Sequence, residues 1–140
     1  MGIFSKTTTP NKRYVIFLVE DNMIYAKQLE FFLKSKFDSK ADIMYFPVSE
    51  VLDVKFEADI IPDVIIMDHF LNEKYNDASL GYTALQKIKK QYPQIELILH
   101  TSQESIDLAI TAIKDKVCRY VSKNKEAFGR LEDIVNEIIK

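Results

Sequence analysis

Short apolar segments alternate with amphipathic segments through most of the chain, and this alternation restricts the possible folds more than any other feature. Residues 14–19, 64–67 and 95–99 are almost entirely apolar, which is typical of strands that helices cover on both faces. Residues 42–46 and 117–122 are shorter or interrupted by polar side chains, as expected for edge strands. The five segments therefore predict a sheet with three central strands and two edge strands.

Helical patterns occupy the sequence between these strands. Apolar residues recur at steps of three or four in four stretches, and a weaker pattern, with Ser49 as its cap, covers residues 49–58. The four stripes consist of Tyr25, Leu29, Phe32 and Leu33; of Gly81, Ala84, Leu85, Ile88 and Tyr92; of Ile106, Ala109, Ile110, Ile113 and Val117; and of Phe128, Leu131, Ile134, Val135 and Ile138.

The regular alternation of strands and helices predicts an α/β fold: a doubly wound, five-stranded parallel sheet with helices on both faces. Because the second and fifth strands look like edges, we expect the flavodoxin-like order 2-1-3-4-5, with a ligand crevice at the carboxyl ends of strands one and three. We assign residues 13–140 to this domain. Residues 1–12 are polar and aperiodic, so we expect a flexible leader there, and we expect no output domain after the last helix. We interpret His100 as a packing residue of strand four.

Polar residues follow four of the predicted strands at the edge where the crevice is expected. Glu20 and Asp21 follow strand one, Asp68 follows strand three, Thr101 ends strand four and Lys123 follows strand five. Three neighbouring carboxylates repel one another, and Mg²⁺, which prefers oxygen ligands, relieves that repulsion. Thr101 can donate to a phosphoryl oxygen and Lys123 can neutralise it. A carboxylate in this setting can act as a nucleophile towards phosphorus.

The motifs around these residues resemble the receiver domain of response regulators in two-component signalling. The resemblance covers about residues 13–140. It rests on VIFLVEDN at 15–22, DVIIMD at 63–68, LILHTS at 97–102 and YVSK at 120–123. These four motifs stand in the order and at the approximate spacing of that family.

The resemblance implies a role for each site residue. Asp68 would accept a phosphoryl group, and Asp21 would ligate Mg²⁺ with help from Glu20. Asp68 and the backbone carbonyl of Phe70 would complete the protein ligands. Thr101 and Lys123 would bind the phosphoryl oxygens. As Thr101 moved, the switch residue Tyr120 would turn inward and change the surface of the fourth helix, fifth strand and fifth helix.

The resemblance also implies the partners. A sensor histidine kinase or a histidine phosphotransfer protein would supply the phosphoryl group, and a downstream protein target would read the switched surface. The same surface could form a homodimer. The chain would act as a stand-alone phosphoprotein of a phosphorelay, and it would be no enzyme beyond its own phosphorylation and dephosphorylation.

Several positions depart from the family pattern. The first glycine after Asp68 is Gly81, with no proline between them, so residues 69–80 predict an unusually long loop beside the site. Asn124 stands where the family usually has proline after the lysine. Phe70 and Gln103 occupy positions that tune the lifetime of the acyl phosphate in that family, and the bulk of Phe70 suggests slowed hydrolysis.

Composition excludes other classes of protein. The 140 residues include 19 Lys and Arg against 21 Asp and Glu, a net charge of −2, which argues against direct nucleic-acid binding. The single cysteine excludes an internal disulfide. No segment is long and apolar enough for a secretion signal or a membrane span. We therefore expect a cytoplasmic protein without a membrane partner.

Two alternatives remain open at this stage. A Mg-dependent phosphohydrolase of the haloacid dehalogenase type would need a second aspartate two residues after Asp68, and a Toprim-type nuclease would need a similar pair, but Phe70 stands there. A receiver fold that acts as an interaction module without phosphorylation is the other alternative. The intact acid pair, Asp68, Thr101 and Lys123 argue against it, and the missing proline and the long loop keep it open.

Overall fold

The computed structural model describes residues 12–47, 56, 59–68, 80–102 and 106–140. The strands are β1 (Tyr14–Val19), β2 (Ala41–Phe46), β3 (Val64–Met67), β4 (Glu96–Thr101) and β5 (Arg119–Ser122). The helices in these residues are α1 (Met23–Phe37), α2 (Leu80–Gln91), α3 (Ile106–Lys114) and α4 (Ala127–Ile138).

All five strands are parallel and form one sheet in the order β2-β1-β3-β4-β5. This confirms the predicted doubly wound sheet and its strand order. Every residue of β3 is buried, as are the last four residues of β1. The unbroken apolar character of these two strands is explained by this burial, because neither face meets water.

Helices pack on both faces of the sheet. Apolar residues of α1 and α4 pack against one face, and those of α2 pack against the other. The first core includes Leu29, Leu33, Leu131 and Val135 with Ile16, Leu18, Ile66, Ile98 and Val121; the second includes Leu85 and Ile88 with Phe17, Ile65, Met67, Leu97 and Leu99. Alternate residues of each central strand thus serve opposite cores.

The predicted boundaries at the fifth strand were wrong by a few residues. The helix predicted to extend to Val117 ends at Lys114, and β5 begins at Arg119 instead of residue 117. A turn explains both differences: the Lys116 amide donates to the Ile113 carbonyl at 3.1 Å, and Lys116 has a left-handed φ of 57°. A backbone in that conformation ends a helix.

Two predicted segments lie largely outside the described residues. Of the helix predicted over 49–58, only Phe56 is described, and its ring centroid lies 4.8 Å from that of Tyr92. Of the leader predicted over 1–12, only Lys12 is described, and the loop predicted over 69–80 is described only at its last residue, where α2 begins.

Strand register brings the ends of the strands to one edge of the sheet. Val19 pairs with Met67, and Met67 with Leu99, so the residues that follow β1 and β3 lie side by side. Thr101 pairs with Ser122 at the end of β5.

Asp63 fastens β1 at the opposite edge. Its carboxylate Oδ2 accepts the Val15 amide at 2.9 Å, and its own amide donates to the Val15 carbonyl at 2.8 Å. Lys12 also reaches Asp63, at 3.0 Å, but the Lys12 side chain is 70% exposed. The bond from Val15 is therefore the stronger anchor, because exposed ion pairs contribute little.

We predict that Asp63→Ala lowers the free energy of unfolding by about 1–2 kcal/mol, because it leaves the Val15 amide without its acceptor. Asp63→Asn keeps an acceptor oxygen and is expected to cost less, and Lys12→Ala is expected to cost under about 0.5 kcal/mol. Urea unfolding of the three variants measures this. Equal losses in the alanine and asparagine variants at Asp63 would contradict the assignment.

Candidate functional site

The turn from β1 to α1 holds the acidic pair. The side chain of Asn22 caps α1 by accepting the Tyr25 amide at 3.1 Å, and the Asn22 amide donates to Glu20 Oε2 at 3.1 Å. The Glu20 carbonyl accepts the Tyr45 hydroxyl at 2.8 Å. Glu20 is consequently fixed and almost fully buried, whereas Asp21 is exposed.

Asp68 is held by the backbone ladder that β1 and β3 share. Its amide donates to the Val19 carbonyl at 3.0 Å, and the residue is only 6% exposed. The ladder therefore continues one residue past β3 and directs a buried carboxylate towards Glu20.

Lys123 joins the two buried carboxylates. Its Nζ lies 2.7 Å from Glu20 Oε1 and 3.0 Å from Asp68 Oδ2. The Lys123 amide donates to the Thr101 carbonyl at 2.7 Å, which extends the ladder between β4 and β5 to this residue. Asn124 follows in place of a proline, and its side chain binds Ser122 Oγ at 3.1 Å. The Lys123 ammonium group thus reaches both Glu20 and Asp68 although asparagine, and not proline, follows the lysine.

The three acidic residues form one compact group of oxygen ligands. Glu20, Asp21 and Asp68 each offer a carboxylate oxygen, and these oxygens lie within 4.8 Å of one another. Burial, followed by the charge of Asp68, raises the pKa of Glu20 to about 7 despite Lys123. Partial burial and Asp68 also raise the pKa of Asp21. One ammonium group does not balance three carboxylates, and this donor set fits a hard divalent cation such as Mg²⁺.

Burial alone would lower the pKa of Lys123, but Asp68 and Glu20 outweigh that effect and raise the pKa above its ordinary value. Lys123 is therefore charged at neutral pH. Its ammonium group supplies the positive charge that compensates the buried carboxylates of Glu20 and Asp68.

Thr101 is fully buried at the end of β4. Within the described residues, its Oγ1 has no hydrogen-bond partner. A buried hydroxyl without a partner is unfavourable and rare in folded proteins, so this donor is available to a group that enters the site.

Tyr120 is half-buried on β5, and its hydroxyl donates to the Ser102 carbonyl at 3.0 Å. It packs against the core on the α2 face of the sheet. Phe70, the proposed backbone ligand, and Gln103 lie outside the described residues.

Three residues that support the site were not predicted from the sequence. Tyr45 holds the Glu20 carbonyl. The hydroxyl of Tyr25, which was assigned only to an apolar stripe, lies 2.6 Å from Nε2 of His100, and the Tyr25 ring lies under Lys123. His100, interpreted as a packing residue, is buried but bonded at both ring nitrogens. Strand alternation was the available signal, because it places His100 on the same face as Ile98, towards α1.

Comparison with known proteins identifies the family. The model of the response regulator receiver domain family matches residues 16–136. The chain belongs to this family. Receiver domains are phosphoacceptors in two-component signalling, and signalling by phosphorylation is their general function.

Solved receiver domains share the fold. The chain is 25% identical to the N-terminal signal receiver domain of a two-component response regulator from Bacteroides fragilis, with a TM-score of 0.73 over 92% of this chain and 99% of that one. A response regulator receiver domain protein from Clostridium thermocellum is 22% identical, with a TM-score of 0.72 over 90% and 94%. The receiver domain of NtrX from Brucella abortus is 20% identical, with a TM-score of 0.68 over 87% and 94%. The last two show the fold alone.

No curated protein is similar enough in sequence to match the chain. Among the described residues, no helix combines the length and the apolar character that crossing a membrane requires.

The raised pKa of Glu20 predicts a pH dependence of stability in the absence of divalent cations. The pKa of Glu20 is 4.5 in the unfolded chain and about 7 in the folded protein. Between these two pH values the folded protein keeps a proton that the unfolded chain has released, so Glu20 makes the free energy of unfolding fall as the pH rises. Burial lowers the pKa of His100 from 6.5 to about 4. Between these two pH values the unfolded chain binds the extra proton, so His100 makes the free energy of unfolding rise with pH. The informative quantity is therefore the difference between variants.

We expect wild type to lose stability relative to Glu20→Gln as the pH rises from 4.5 to 7, because the variant lacks the titrating group. Urea unfolding in a chelating buffer at several pH values measures the difference. A pH-independent difference would contradict the raised pKa.

Proposed function

We propose that Asp68 accepts a phosphoryl group from the phosphohistidine of a histidine kinase or a histidine phosphotransfer protein. An Asp68 carboxylate oxygen forms a bond to phosphorus, and the bond from phosphorus to the histidine nitrogen breaks. The nitrogen leaves with the electron pair and takes up a proton, and the product is an acyl phosphate. The supporting observation is that buried Asp68 lies within one acidic group and 3.0 Å from the Lys123 ammonium.

Glu20, Asp21 and Asp68 would hold Mg²⁺, together with the backbone carbonyl of Phe70. A bound divalent cation neutralises negative charge on a phosphoryl group. The fit of the three carboxylates to such an ion supports this part of the proposal.

Lys123 and Thr101 bind the phosphoryl oxygens in this proposal. The Lys123 ammonium already contacts Asp68, and the Thr101 hydroxyl, which has no partner within the part of the chain that the structure describes, is a donor at the end of β4. Once Asp68 is phosphorylated, a hydrogen bond from Thr101 draws the end of β4 towards the site. Tyr120 bonds to the next residue, Ser102, and therefore responds to this movement.

The proposed output of the switch is the surface formed by α3, β5 and α4, where α3 and α4 are the fourth and fifth helices predicted from the sequence. Phosphorylation would change this surface by a population shift between two states. It would bind a downstream protein or a second copy of the chain, with no direct contact to nucleic acid or membrane. We propose residues 13–140 as the extent of the domain. We propose the cytoplasm as its location, consistent with a single cysteine. We also propose that its chemistry is limited to its own phosphorylation and dephosphorylation.

We predict that incubation with acetyl phosphate and Mg²⁺ adds one phosphoryl group to wild type and none to Asp68→Asn, because the amide lacks the nucleophilic carboxylate. Intact mass spectrometry measures the gain. Asp42→Asn, a change at an exposed carboxylate away from the site, is the matched control and is expected to behave as wild type. A chelator is expected to abolish the gain. Equal gain in wild type and Asp68→Asn would overturn the assignment.

We predict opposite effects of Thr101→Val on stability and on phosphorylation. Removing this buried hydroxyl, which has no hydrogen-bond partner among the described residues, is expected to raise the free energy of unfolding by about 1 kcal/mol, while the loss of the donor slows phosphorylation by acetyl phosphate. Urea unfolding and the time course of the mass gain measure the two effects. Thr101→Ser keeps the donor and is the control. A Thr101→Val variant that is phosphorylated at the wild-type rate would exclude a role for the hydroxyl.

A further inference from the structure

Two consecutive hydrogen bonds lie beside the acidic group, on the face of β4 opposite Thr101. The hydroxyl of Tyr25, on α1, lies 2.6 Å from Nε2 of His100, on β4. His100 Nδ1 lies 2.7 Å from the Val121 carbonyl, on β5. These hydrogen bonds link α1, which begins two residues after Asp21, to β4, which ends at Thr101, and to β5, which Lys123 directly follows.

The direction of these bonds follows from the chemistry of the groups. The Val121 carbonyl can only accept, so Nδ1 of His100 carries the proton. Burial lowers the pKa of His100 to about 4, so the ring is neutral at physiological pH and Nε2 is an acceptor. The Tyr25 hydroxyl must therefore donate to Nε2, which fixes the end of the tyrosine ring.

The ring of Tyr25 is restrained on its other sides as well. Its centroid lies 5.6 Å from that of His100 and 5.8 Å from that of Phe128, the latter in an edge-on arrangement. The Lys123 Nζ lies 4.8 Å from the Tyr25 centroid, within the range of a cation–π contact. The ammonium thus has a carboxylate on each of two sides and an aromatic ring close by.

We propose that Tyr25 is a positioning residue for Lys123: its ring, held by His100 and Phe128, keeps the ammonium group where it binds Asp68 and Glu20. The part of this inference that concerns phosphorylation rests on the function proposed above. Tyr25 acts through Lys123 and needs no contact with the phosphoryl group.

Physical reasons favour this role. A lysine side chain has many rotamers, and holding it in one of them costs conformational entropy. Contact with a ring that is already fixed lowers that cost. The contact uses the face of the ring instead of a carboxylate, so it is independent of the charge on Asp68.

The direct test is the NMR chemical shift of the Lys123 ε-methylene protons in the unphosphorylated protein. An aromatic ring shifts protons that lie over its face upfield. We expect Tyr25→Leu to abolish this shift and Tyr25→Phe to retain it, because phenylalanine keeps the ring. Phe32→Leu is the matched control, since Phe32 also lies on α1 and packs on Phe128, at 5.1 Å. An unchanged Lys123 shift in Tyr25→Leu would overturn the inference.

The second test is the rate of phosphorylation by acetyl phosphate and Mg²⁺. We expect Tyr25→Leu to be about two- to fivefold slower than wild type, as loss of a cation–π contact predicts, and Tyr25→Phe to recover most of the rate. Tyr25→Met, which fills more of the space, replaces leucine if that variant does not fold. An equal loss of rate in Phe32→Leu would assign the effect to packing and overturn the inference. If wild type is not phosphorylated at all, the proposed function fails, and the chemical shift alone decides whether the Tyr25 ring contacts Lys123, the contact on which the inference depends.

Discussion

The contact of Lys123 with Glu20 and Asp68 is the interaction on which the rest of the site depends. Both carboxylates are almost fully buried, and an isolated buried charge is strongly unfavourable. Lys123, directly after β5, supplies the compensating charge, and β5 lies two positions from β3 and three positions from β1 in the sheet. Compensation is incomplete because Asp21 adds a third carboxylate, and burial, followed by the charge of Asp68, raises the pKa of Glu20 despite Lys123. The site is therefore stable enough to form but retains an excess of negative charge that a divalent cation can relieve.

The sheet gives this arrangement its precision. The Asp68 and Lys123 amides each continue a parallel ladder one residue beyond its strand, so the backbone of both residues is placed by the core. The two faces of β4 then serve different purposes. Thr101 lies on the face where Tyr120 packs, whereas His100 lies on the face towards Tyr25 and α1. A polar edge that must hold charges within a few ångströms is built on the most buried strands of the protein.

Much of the fold was predictable because long-range order is encoded in local patterns. Unbroken apolar runs identified β1 and β3 as doubly covered strands, and the rule for parallel sheets brought the residues after them to one edge. The turn at Lys116 was not predictable in the same way, because a left-handed lysine leaves no signature in composition, and Val117 and Cys118 look like strand residues. The link from Tyr25 to His100 joins residues 75 positions apart. Periodicity indicates which face each residue occupies, but it does not show that a hydroxyl and an imidazole meet there.

Unfavourable features of the free protein are concentrated at this same edge. The Thr101 hydroxyl is buried without a partner in the described part of the chain, and two acids have raised pKa values. Other polar groups have partners: His100 is bonded at both ring nitrogens, and the Val15 amide donates to Asp63. A folded chain generally satisfies its buried polar groups, and departures cluster at functional sites. In the proposed function each unfavourable feature would be relieved by a bound group, since a cation would offset the excess negative charge and a phosphoryl oxygen would accept the Thr101 hydrogen. The edge that is least satisfied in the free protein is thus the one where binding would bring the largest gain.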